Sequence, residues 1–178
     1  MKKSWDPRHL DIRAFARAQM TVSEATDASQ FERLTQDAAA PAETVRWQMQ
    51  GESRPVTGGT EQVWLHLNAA VDLSMTCQRC LAPVVCEVAV DRSVRFVADE
   101  ATAAVEDEDA DEDVLVWSRD FDALSLIEDE LIMALPLVPM HAHCSSEHPL
   151  TTDLSSEQAV AKRPNPFAVL ASLRSGKR

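Results

Sequence analysis

The chain has 178 residues, 45% apolar and 26% charged, which suits one globular domain with a real core and excludes two catalytic domains. Its longest stretch without charged or strongly polar side chains, 131–140, is short and holds two prolines, so no bilayer-spanning helix is expected. Net charge is −12, from 29 acids and 17 bases, which argues against a body that binds nucleic acid.

The N-terminus MKKSWDPRHL has the charges of a signal peptide, but Asp6, Pro7, Arg8 and His9 stand where an apolar stretch belongs, and the protein is read as cytoplasmic. Residues 11–19 and 30–37 read as short helical pieces around a polar 21–29 segment that offers a strand. From Thr44 the period is two, with Val45, Trp47 and Met49 on one face and Arg46, Gln48 and Gln50 on the other. Val63, Leu65, Leu67, Ala69, Val71, Leu73 and Met75 then mark one long antiparallel strand. Gly51, Gly58 and Gly59 lie between these two strands and supply turn chemistry. A third strand carries Val84, Cys86, Val88, Val90, then Arg92, Val94 and Phe96 on one face and pairs with the second through the turn 76–83. Cys86 is assigned to the core, where a thiol behaves as a small hydrophobe.

Residues 99–113 hold nine acids and mostly alanine otherwise, a composition that predicts a disordered loop. Residues 114–117 make a short fourth strand. Asp122 opens a helix with Leu124, Ile127, Leu131 and Leu135 at helical spacing, ended by Pro136. Prolines keep 145–165 irregular, and Asn165 with Pro166 signals a short C-terminal helix with a basic tail over 166–178. The sum is a single α+β domain over 1–178: a curved antiparallel sheet, open or closed into a partial barrel, with a few packed helices and a disordered acidic loop.

Cys77 and Cys80 form a CxxC in the turn between the two best strands, a spacing that aims two thiolates at one tetrahedral metal. His141 and Cys144 repeat that spacing as HxxC, with His143 and His148 as alternative third ligands. The expectation is one zinc ion, the alternative two reduced thiols in a hairpin. Redox chemistry is disfavoured because no helix N-terminus lies at the pair, and a disulfide because of the compartment. No GxSxG, P-loop, GxGxxG or HExxH occurs, so neither an enzyme nor a small-molecule substrate is expected. His66 on the polar face of its strand is read as a solvated or interface histidine rather than a general base, and Trp64 beside it either anchors a partner or packs the hairpin.

Ten of the 17 bases lie in the first and last 17 residues, leaving 18–161 with 27 acids against seven bases. Such a body attracts basic proteins, and RNA contact falls to the ends. In the C-terminal segment Lys162, Arg163, Arg174, Lys177 and Arg178 surround Phe167 and Leu170, which are the candidate partner- or RNA-binding residues.

CQRCLAPV at 77–84, LSLIEDELIMALPLVPMH at 124–141, PNPFAVLASL at 164–173 and DIRAFARA at 11–18 together resemble the bacterial YceD family, the large ribosomal RNA subunit accumulation proteins. The resemblance implies a non-enzymatic factor for synthesis, processing or stability of 23S rRNA and for large-subunit assembly, often encoded beside a large-subunit ribosomal protein. It carries the CxxC onto Cys77 and Cys80 and the later cysteine onto Cys144, with the histidine open between His141 and His143. The expected partner is a large-subunit ribosomal protein or assembly factor, with rRNA touched through the basic ends. The rival reading is a small zinc-stabilised interaction or regulatory module with no ribosomal role.

Overall fold

The period-two stretches become a single five-stranded sheet. In a computed structural model, which describes residues 5–36, 38–41, 44–56, 58 and 61–144, the chain forms α1 (Ile12–Arg17), β1 (Thr21–Asp27), α2 (Glu32–Thr35), β2 (Thr44–Arg54), β3 (Gln62–Thr76), β4 (Pro83–Val97), α3 (Glu100–Glu106), β5 (Asp113–Val116) and α4 (Ala123–Met133). The expectations for 145–165 and 166–178 lie outside the described residues. The strands lie side by side in chain order, β1 to β4 antiparallel and β5 parallel to β4. The α+β class holds, and the sheet is mixed and open, neither purely antiparallel nor closed toward a barrel. No helix among the described residues is long and apolar enough to cross a membrane.

One sheet face is the core face. Trp47, Met49, Leu65, Leu67, Val71, Leu73, Val88 and Val94 are buried there together with Phe15 of α1, Leu34 of α2, and Leu124, Ile127 and Leu131 of α4. The helical spacing in 124–131 thus buries one stripe of α4, each fully covered Leu or Ile being worth roughly 1.5–3 kcal/mol. Asp122 caps that helix by accepting a hydrogen bond from the Ser125 N–H at 3.0 Å.

Gly51 does not sit in a turn. β2 runs on to Arg54, and a Cβ at Gly51 would meet Phe15 Cδ1 at 2.7 Å and the Ala16 Cα at 2.8 Å. The missing side chain lets α1 lie directly on the strand backbone, while Gly58 at φ 81° supplies the turn.

The acidic 99–113 stretch, expected to be a disordered loop, carries α3 and the first residue of β5, and two features bear on that. A parallel strand must be reached by a crossover, and this one carries α3, whose start is capped by Asp99 accepting from the Thr102 N–H at 2.9 Å. Arg95, largely buried on β4, then anchors the crossover by pairing with Glu106 and with Glu112, the latter at 2.6 Å. Ala103 and Val114 are buried, so the segment has apolar surface to hide despite its charge.

Candidate metal centre

β3 and β4 are each 15 residues long and paired from Val63–Phe96 to Thr76–Pro83, so their connection forms the tip of a long hairpin. In that tip the Leu81 N–H donates to the Cys77 carbonyl and the Cys77 N–H to the Ala82 carbonyl, both at 2.9 Å, with Leu81 at φ 61°. This tight knuckle turns the two thiols the same way. The chain leaving α4 returns to the tip, where the Gln78 N–H donates to the Pro139 carbonyl at 2.9 Å.

That return completes the cluster. One ligand atom from each of Cys77, Cys80, His141 and Cys144 lies within 4.8 Å of the others. His141 Nε2 lies 3.0 Å from the Pro83 carbonyl, which can only accept, so Nε2 carries the hydrogen and Nδ1 presents its lone pair to the Cys80 sulfur at 3.5 Å. The sulfurs are chemically unequal. Cys77 is fully buried, yet the backbone N–H of Cys80, joined by those of His141 and Arg79, brings its pKa down to about 5, so it stands ready as a thiolate. Cys144 goes the other way, to about 11, first because its thiol bonds Cys80 and then through burial. Three sulfurs and an imidazole oriented by a carbonyl fit a closed tetrahedral site, whose ligand atoms stand roughly 3–4 Å apart when metal–sulfur bonds are about 2.3 Å. The cluster could hold a metal ion.

The sequence left the histidine open, and the geometry brings His141 beside the three sulfurs. His143 is exposed and outside the cluster, whereas His141 is held in it by the β4 carbonyl. His148 lies outside the described residues, as do Lys162, Arg163, Phe167, Leu170, Arg174, Lys177 and Arg178. Cys86 lies on the core-facing side of β4 but is only half-buried and takes no part in the cluster.

His66 and Trp64 form a separate polar brace on the opposite sheet face. The two ring nitrogens of His66 lie 2.8 Å from Ser93 Oγ and from Glu52 Oε2, and its ring stacks on Trp64. The Arg54 guanidinium covers Trp64 at 4.4 Å and grips Glu52 with two 2.8 Å bonds. Trp64 is buried, so the packing alternative is the one realised. Glu52 is pulled down to about 2, first by Arg54 and then by His66.

An open mixed sheet whose longest hairpin ends in a CxxC knuckle, closed by a distant HxxC, defines a small α+β protein with a Cys₃His cluster. The chain belongs to the YceD family: the family described as "Large ribosomal RNA subunit accumulation protein YceD" matches residues 65–174, which include both halves of the cluster. The Large ribosomal RNA subunit accumulation protein YceD of Haemophilus influenzae is 37% identical over 117 residues, 58% of this chain and 61% of that protein, so the match spans about three fifths of that relative. No solved structure matches the chain.

Proposed function

We propose that the protein is a non-catalytic factor for accumulation of 23S rRNA and assembly of the large ribosomal subunit. It works in the cytoplasm through a ribosomal protein or assembly factor, and carries one structural zinc on Cys77, Cys80, His141 and Cys144. The observation that carries this reading is the family match over residues 65–174. A non-catalytic role is supported by His66, whose two ring nitrogens are already engaged by Ser93 and Glu52, a brace rather than a free base. A protein partner is supported by the acidic body, which repels phosphate and attracts basic chains. Zinc is supported by the donor set and its closed, carbonyl-oriented arrangement.

The test is a clean gene deletion with quantified rRNA, grown in the cold as well as at the optimum. Large-subunit rRNA should fall relative to small-subunit rRNA, and a plasmid copy should restore it. Normal ratios under both conditions would overturn the ribosomal role and leave a zinc-stabilised interaction module.

A further inference from the structure

The hairpin tip that carries Cys77 and Cys80 also carries much of the exposed apolar surface among the described residues. Leu81 is 75% exposed and Val85 72%, and Leu137, Val138 and Met140 on the returning segment are exposed as well, Leu137 completely. Each of the five stands within two residues, along the chain, of a residue that makes one of the bonds tying the two segments together, Gln78 to Pro139 and His141 to Pro83. Large apolar residues gathered at one place on a surface mark an interaction site, whereas scattered ones do not.

The charge beside the patch identifies what would sit there. Two residues beyond Val85, Glu87 stands directly opposite Asp72 of β3, and both are exposed. Like charges facing across antiparallel strands repel, and no ion pair or hydrogen bond among the described residues relieves either carboxylate. Arg79 adds one exposed cation to the loop, too few to balance the pair.

We propose that the hairpin tip docks a segment of a partner protein in which an apolar side chain stands beside Lys or Arg. The apolar group lies on Leu81, Val85, Leu137 and Met140, and the cation sits over Asp72 and Glu87, where it removes the repulsion. The partner's biological class rests on the ribosomal reading above; the chemistry of the docked segment rests on this surface alone.

The test uses the full chain loaded with zinc and peptides tiling the large-subunit ribosomal proteins of the same organism. Control peptides are Lys-only, apolar-only and this chain's own residues 162–178, all read by fluorescence anisotropy. Peptides combining both features should bind, and the controls should not. The double variant Leu137→Ser, Met140→Ser should weaken binding about tenfold at every salt concentration, its exposed positions leaving the melting temperature unchanged. The double variant Asp72→Asn, Glu87→Gln should weaken binding about fivefold at low salt and little at high salt, with equal or higher melting temperature. Binding that both variants leave unchanged, or no binding by any tiled peptide, overturns the proposal. So does concentration-dependent self-association lost in Leu137→Ser, Met140→Ser, which assigns the tip to a second copy, or preferential binding of the 162–178 peptide. The deletion experiment is independent: a fall in large-subunit rRNA without peptide binding sinks the docking surface alone, and peptide binding without an rRNA effect sinks the ribosomal role alone.

Discussion

Two histidines separated by one residue, His141 and His143, have opposite fates because one carbonyl, Pro83's, accepts from Nε2 of His141 and leaves Nδ1 free for the sulfurs. Protein purified without chelator should therefore contain about one zinc per chain by elemental analysis. Cys77→Ser and His141→Ala should lose it, while His143→Ala keeps it. The cysteines were readable because a CxxC is local; the choice of histidine was not, because it depends on a carbonyl 58 residues away. Gly51 misled in the other direction, since glycine signals a turn or a close approach equally, and only the position of Phe15 separates them. Gly51→Ala should push α1 off β2 and cost about 1–3 kcal/mol in denaturant unfolding. Glu52 gives a pH signature. Its carboxyl lies at about 2 in the fold against an ordinary 4.5, so its contribution is present above 4.5 and lost as pH falls from there toward 2. In acid titrations of stability, Glu52→Gln should flatten that interval, because the variant is less stable at neutral pH and little changed near pH 2.

At the scale of elements, alternation gave β2, β3 and β4 with little ambiguity because each buries one face against the helices. What alternation cannot encode is direction. β5 is too short to reveal that it runs parallel to β4, and without that the need for a helical crossover through the acidic stretch is invisible. The rescue of that stretch lies in Arg95, 11 residues before Glu106 in sequence and paired with it in space. Arg95→Gln should release 99–113, seen as faster amide exchange there, and lower stability by about 2 kcal/mol. Replacing the stretch by Gly and Ser should likewise reduce the melting temperature, since α3 and β5 are packed. A similar device holds α2, whose N-cap Phe31 offers no side-chain bond: Glu128 of α4 accepts from the N–H groups of Arg33 and Leu34 at 2.8 and 3.2 Å. A buried carboxylate at a helix start is favourable there, and no local pattern signals it because the partners are almost a hundred residues apart.

Across the whole molecule the charge is divided between an acidic body and basic ends. RNA association by the full chain should be weak and vanish with modest added salt, measurable by filter binding across a salt series, because few cations are available to release counterions. Salt-resistant binding by a chain lacking residues 162–178 would contradict that electrostatic picture.

Because neighbouring strands in the sheet are also neighbours in the chain, each can pair with its predecessor as soon as it is made. The metal cluster keeps a different schedule. Cys77 and Cys80 arrive early, but His141 and Cys144 come only after β4, the crossover and α4 have been synthesised, and they reach the tip only if α4 has docked. A four-coordinate metal here would be a timestamp of completion, captured when the last turn of the fold closes and refused by any chain whose C-terminal half is still unfolded.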